Sequence, residues 1–176
     1  MRMFTWVSVA AFLLLTACQL GPAPAGKAYL VRHAEKTLVN PDPGLTAAGQ
    51  ARAEALADRL AGAGITTVWT TDYKRTRDTA APIVERLGLE VKLYNPRDLE
   101  GFAAHLKERP DEIVLIVGHS NTTPQLVQVL GGDPVSEINE AGEYDRLYVV
   151  DLGNGDSELM RYGAAYLPDG ADAAGQ

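Results

Sequence analysis

The chain is short of several things at once, and each shortage removes a class of explanation. It has one cysteine, Cys18, in 176 residues, so no internal disulfide can form in any redox compartment. It has three histidines, His33, His105 and His119, and no compact cluster of His, Asp or Glu with the spacing of a metal site. Cations are outnumbered. There are 16 Lys and Arg against 23 Asp and Glu, a formal net charge of −7, which argues against the broad basic face of a nucleic-acid binder. A local arginine pair could still oppose that global sign for a small anion. Internal repeats are absent. What remains, with 46% hydrophobic residues, fits one ordinary globular domain.

The one long apolar run lies at the N-terminus. Arg2 gives a short positive start, Met3 to Leu15 is almost wholly apolar, and Leu15-Thr16-Ala17-Cys18 follows. The stretch from Met3 to Cys18 is shorter than the roughly 20 residues a membrane span needs. Its form resembles a bacterial lipoprotein signal ending in small residues, which implies lipidation of Cys18 and a membrane partner through that anchor. The expected organisation is a signal over 1–18, a Pro/Gly-rich flexible spacer over 19–26, a domain over 27–166 and a frayed tail over 167–176. Gln19 does not resemble an inner-membrane retention signal, so an exported lipoprotein of the outer membrane, facing the periplasm, is the expected location.

Within the domain, strands and helices alternate. Lys27 to Val31 reads as a first strand, and Asn40-Pro41-Asp42-Pro43-Gly44 as a loop. Thr46 can cap a helix carrying Ala53, Leu56, Ala57 and Leu60 on one face, stopped by Gly62 and Gly64. Ile65 to Trp69 is a second strand by its β-branched content. Lys74 to Leu87 is helical in period, although Pro82 should kink it or delay its regular part. Leu89, Val91 and Leu93 alternate with Glu90 and Lys92 as a strand with one wet face. Asp98 can cap a third helix with Leu99, Phe102, Ala103 and Leu106 inward. Ile113 to Val117 is apolar on both sides, as a central parallel strand should be. Thr123 would cap a fourth helix with Pro124 in its first turn, closed by Gly131-Gly132. Arg146–Leu152 and Glu158–Tyr162 flank Gly153-Asn154-Gly155-Asp156, a hairpin signal. The expectation is an α/β three-layer sandwich: a mainly parallel central sheet, helices on both faces and a C-terminal antiparallel hairpin.

Two apolar strands end in a histidine. Tyr29-Leu30-Val31 runs into Arg32-His33, and Ile113 to Gly118 runs into His119. Arg75 follows the second strand, so three strand-to-helix junctions each deliver a cation or an imidazole. In a parallel sheet those junctions share one edge, where open α/β folds bind ligands. Two guanidiniums and two imidazoles suit a phosphoryl group, because arginine makes bidentate, permanently charged contacts to phosphate oxygens. The start of the helix after His119 adds backbone N–H groups and a favourable dipole. Asn121 and Thr122 would either line that pocket or cap the helix. His105 borders its helix's apolar face and reads as structural.

These residues resemble a known family. Arg32-His33 with Glu35 is similar to the Arg-His-Gly-Glu signature of the histidine phosphatase superfamily, with its phosphoglycerate-mutase-like fold. Leu45-Thr46-x-x-Gly49, the block Thr71 to Ala80 with Arg75 in its arginine slot, and Gly118-His119 resemble its further motifs, in family order. The resemblance implies that His33 is the nucleophile and forms a phosphohistidine. Arg32, Arg75 and His119 would hold the phosphoryl oxygens; Asn121, from its place after His119, is a further candidate for phosphate contact or for the helix cap. It implies no metal and no cofactor, and a phosphorylated substrate of unspecified kind. Oligomeric state is not legible.

The leaving oxygen needs a proton donor, and here the chain departs from the family. The segment after the third strand, Tyr94 to Glu100, is shorter than the insert in which many members carry a glutamate acid. Glu35, Asp98, Glu100 and Glu143 are candidates; Glu35, two residues from His33, is preferred, while Asp98 has a competing use as a helix cap. The short insert favours phosphomonoester hydrolysis over mutase-type phosphoryl transfer, which needs a covering segment to keep water out. A non-catalytic phosphate-binding lipoprotein is the third reading.

Overall fold

The computed structural model describes residues 26–39 and 41–167. The signal, Cys18, nearly all of the spacer and most of the tail lie outside the described residues. Among the described residues no helix is long and apolar enough to cross a membrane.

The elements run β1 (Lys27–Arg32), α1 (Ala47–Leu60), β2 (Thr67–Thr70), α2 (Lys74–Leu87), β3 (Val91–Leu93), α3 (Leu99–Lys107), β4 (Ile113–Gly118), α4 (Thr122–Leu130), β5 (Arg146–Asp151) and β6 (Ser157–Arg161). They form one six-stranded sheet in the order β3-β2-β4-β1-β5-β6. The β3-β2-β4-β1 part is parallel, and β5 and β6 add the expected antiparallel hairpin.

The layers follow from period-2 alternation on strands buried on both faces. Ala28 and Leu30 of β1, with Val114 and Ile116 of β4, pack against Phe102, Leu106, Leu126 and Leu130 of α3 and α4. Val31, Leu115 and Val117 face the other way, onto Leu56, Leu60, Ala80 and Ile83 of α1 and α2. The register then places the site. Arg32 pairs with Gly118, and Thr70 with Val117, so β1, β4 and β2 end level on one edge. Because β5 runs antiparallel to β1, with Val31 opposite Leu147, the residues just before β5 reach that same edge.

Several local expectations are corrected. The second strand begins at Thr67 and extends to Thr70, leaving Ile65 and Thr66 outside. Leu93 is 51% exposed, because β3 is a three-residue edge strand with too little sheet to cover it. Helix α2 is continuous from Lys74 with Pro82 inside, so proline does not delay it; the Asp78 carbonyl simply gains no N–H from position 82. Asn121, not Thr123, is the N-cap of α4, and it makes no side-chain capping bond. The Thr123 hydroxyl instead donates to the Val31 carbonyl at 3.3 Å, tying α4 to β1. Trp69 is half-buried against Phe102 and His105, which accounts for His105 as a structural residue.

Candidate active site

His33 leaves the end of β1 with both flanking amides tied down. Its own N–H donates to the Gly118 carbonyl at 2.9 Å, and the Ala34 N–H donates to Thr79 Oγ1 at 2.9 Å. Thr79 in turn donates to the Arg75 carbonyl at 2.7 Å, which fixes α2 against the nucleophile loop. The imidazole Nδ1 lies 2.8 Å from the Ala34 carbonyl. A carbonyl can only accept, so Nδ1 carries the proton and Nε2 keeps its lone pair.

His119 stands across from it, the ring centroids 5.5 Å apart at 68°. A chain of hydroxyls sets its tautomer. Thr76 Oγ1 spends its proton on the Thr71 or Tyr73 carbonyl, both at 2.8 Å, and so accepts from Thr71 Oγ1 at 3.1 Å. Thr71 Oγ1 must then accept from His119 Nε2, 3.0 Å away. That leaves Nδ1 of the neutral ring with a lone pair, so His119 can hold an anion there only after taking up a proton. Both rings are kept neutral. Burial, chiefly, with Arg32, His119 and Arg75 as positive neighbours, outweighs the Ala34 bond and pushes His33 down to about 3. Burial and then Arg75 and Arg32 push His119 down to about 4.

Arg32 is buried at the end of β1, where Nη1 and Nη2 donate to the carbonyls of Asn139, Glu143 and Glu140 at 2.8 to 3.2 Å. Its Nε is buried without a hydrogen-bond partner, and so is Nε of Arg75. An orphaned buried donor costs roughly 1–3 kcal/mol. Two of them fall on the two arginines nominated for one anion. Each guanidinium also stacks on a tyrosine, Arg32 over Tyr144 at 4.0 Å and Arg75 over Tyr73 at 4.4 Å. Tyr73 touches His119 edge-on at 5.2 Å, and Tyr144 lies 6.2 Å from His33. Arg32, His33, Arg75 and His119 are therefore brought together; Asn121 is exposed at the start of α4, beside a cavity of about 640 Å³ that Ser120, Gln125 and Glu140 also line.

The preferred proton donor does not fit its place. Both oxygens of Glu35 accept from Arg52, at 2.8 to 3.0 Å, and Arg52 also donates to the Tyr162 and Ala164 carbonyls. Glu35 is a clamp between the nucleophile loop, α1 and the C-terminal segment. Asp98 accepts from the Gly101 N–H as the cap of α3. Glu143 is buried and bonded by Arg146, the Asn139 N–H and Arg161; burial alone would raise it, but those bonds hold its carboxyl below the usual range. Glu100 is exposed in the first turn of α3. Glu35, Asp98 and Glu143 are thus each committed to other partners. Among the described residues no group of three or more His, Cys, Asp or Glu could hold a metal ion.

Residues 28–96 match a family model described as the histidine phosphatase superfamily, branch 1. The chain's curated relatives include the "Probable phosphoglycerate mutase GpmB" of Serratia proteamaculans, 41% identical over 88 residues, which are 46% of this chain and 40% of that protein. The chain thus spans about two fifths of the length of the curated relatives it matches. Among solved structures, the protein histidine phosphatase SixA complexed with tungstate superposes with a TM-score of 0.60 at 18% identity, over 77% of this chain and 95% of that one. The alpha-ribazole phosphatase of Shigella flexneri gives 0.62 at 17% identity, over 78% and 96%. At such identities the superpositions show the fold alone: the α/β sandwich with a mixed six-stranded sheet is shared with these two phosphatases.

Tyr73, Tyr144, Thr71, Thr79, Arg52 and the 139–143 carbonyls were not singled out by sequence reasoning. Thr71, Tyr73 and Thr79 lie inside the block that carries Arg75, so that block held a signal. Tyr144 and Arg52 held none, since their contacts span 112 and 17 residues of chain (144 − 32 and 52 − 35).

Proposed function

We propose that this protein hydrolyses phosphomonoesters through a phosphohistidine on His33. The observation that carries the reading is the convergence of a neutral, lone-pair-bearing His33 Nε2 with His119 and two arginines whose Nε–H groups lack acceptors. In the first step the P–N bond to Nε2 forms as the P–O bond to the leaving group breaks, and its electron pair leaves with the oxygen. Arg32, Arg75 and His119 hold the non-bridging oxygens as charge redistributes. In the second step water attacks phosphorus, the pair returns to Nε2, and the proton water gives up passes to solvent or product. The arginines meet the developing charge, so the reading calls on no metal, and the rate should survive a chelator.

The direct test is release of phosphate from phenyl phosphate by the full chain and by His33→Ala. Loss of at least a thousandfold is expected; equal rates would end the proposal. Similarity to a mutase gives a second reading, transfer to an acceptor, which predicts exchange from a bisphosphorylated glycerate without net phosphate release. We also propose that the enzyme is a lipoprotein held at the outer membrane through Cys18. Labelled fatty acid should enter the full chain and not Cys18→Ala.

A further inference from the structure

The floor and the rim of the site differ in kind. Arg32 and His33 are buried at 2% and 4% exposure, whereas Tyr73 is 42% exposed and Tyr144 half-buried. The two tyrosines stand at opposite ends of the imidazole pair, Tyr73 against His119 and Tyr144 toward His33. A guanidinium occupies one face of each ring, at 4.4 and 4.0 Å. Both rings are more exposed than that floor, so they stand on the solvent side from which a substrate arrives. The stretch from Tyr94 to Glu100 gives no insert to cover the site.

The chemistry of departure points the same way. Glu35, Asp98 and Glu143 are committed to Arg52, to the Gly101 N–H and to Arg146 with Arg161. A phenol has a pKa of about 10, whereas an aliphatic alcohol resembles water at about 15.7, so an aromatic oxyanion can leave where an alkoxide would stall. Flat rings also gain contact from aromatic neighbours that alkyl groups of equal size do not.

Resting on the phosphohistidine reading above, we propose that Tyr73 and Tyr144 are specificity-determining residues that select phosphoryl groups carried on a planar aromatic leaving group. The bond changes are those of the first step, with the departing pair on the ring oxygen, which takes its proton from solvent. The substrate class is then an aryl phosphate, in preference to sugar or glycerol phosphates.

The test compares phenyl phosphate with a fluorinated alkyl phosphate whose alcohol is about as acidic as phenol, so that leaving-group acidity is matched and only planarity differs. The readout is the ratio of kcat/KM values, which is independent of the fraction of enzyme that is folded. The full chain should prefer phenyl by about tenfold or more, Tyr73→Leu and Tyr144→Leu should each lose several-fold of that preference, and Tyr73→Phe and Tyr144→Phe should keep it. If both leucine variants slow the two substrates equally, the tyrosines only brace their arginines and the proposal is overturned. His33→Ala is run alongside: activity persisting there sinks the phosphohistidine reading itself, a different outcome from an unchanged ratio.

Discussion

Two imidazoles and two guanidiniums share this site at close range, and burial with mutual repulsion keeps the imidazoles neutral at physiological pH. His33 sits near 3 and His119 near 4, while the unfolded chain titrates near 6.5. The folded state therefore binds fewer protons below pH 6.5, and the stability these groups carry is intact above 6.5 and lost as pH falls through 4 and 3. Melting temperature should drop more steeply between pH 6.5 and 4 for the wild type than for His33→Asn, a difference measurable by calorimetry. An anion on Arg32 and Arg75 reverses the repulsion at His119 Nδ1. Tungstate or phosphate binding at pH 6 should thus take up a proton, seen as a buffer-dependent heat in titration calorimetry; a heat that is the same in every buffer would count against His119 as an anion ligand. Arg75→Ala should cost roughly a hundredfold in kcat/KM, because it removes an oriented donor from a site where Arg32 commits part of its guanidinium to three loop carbonyls.

Each motif block that the sequence offered does a job at the level of an element. Leu45 is buried against Ala34 and Ala53, the Thr46 hydroxyl accepts from the Gly49 N–H at 3.1 Å, and a Cβ on Gly49 would stand 2.2 Å from the Glu35 carbonyl. The block is the lock between the nucleophile loop and α1. Gly49→Ala should therefore force the loop from α1 and cost about 1–3 kcal/mol, read as a lower denaturation midpoint with a reduced rate. The order of strands and helices and the strand-end histidines were legible because they rest on local period and capping chemistry. The fourth helix's cap was misread, since Thr123 looks like a cap locally but its hydroxyl is taken by Val31 on a distant strand. Glu35 was misread for the same reason: sequence proximity to His33 said nothing of Arg52, seventeen residues on.

At the scale of the whole molecule, the sheet order brings the site together from four separate stretches. Parallel β1, β2 and β4 deliver Arg32, His33, the α2 start and His119 to one edge, and antiparallel β5 brings Tyr144 and the 139–143 carbonyls to the same place. The parallel part was readable as fold class from alternation; the contribution of the segment before β5 was not, because it depends on which strand β5 joins. Arg52 ties this assembly to the C-terminal segment through the Tyr162 and Ala164 carbonyls. Removing it leaves Glu35 and two carbonyls unpaired, so Arg52→Ala should cost about 3 kcal/mol, or roughly 10 °C in melting temperature, with the phenyl-to-alkyl preference unchanged. The central claim is that phosphorus is bonded to His33 during turnover. Rapid acid-free quenching after mixing the full chain with ³²P-labelled phenyl phosphate should trap a base-stable, acid-labile label on the peptide that carries His33. Absence of label in the wild type during rapid turnover, or label of equal yield in His33→Ala, would contradict it.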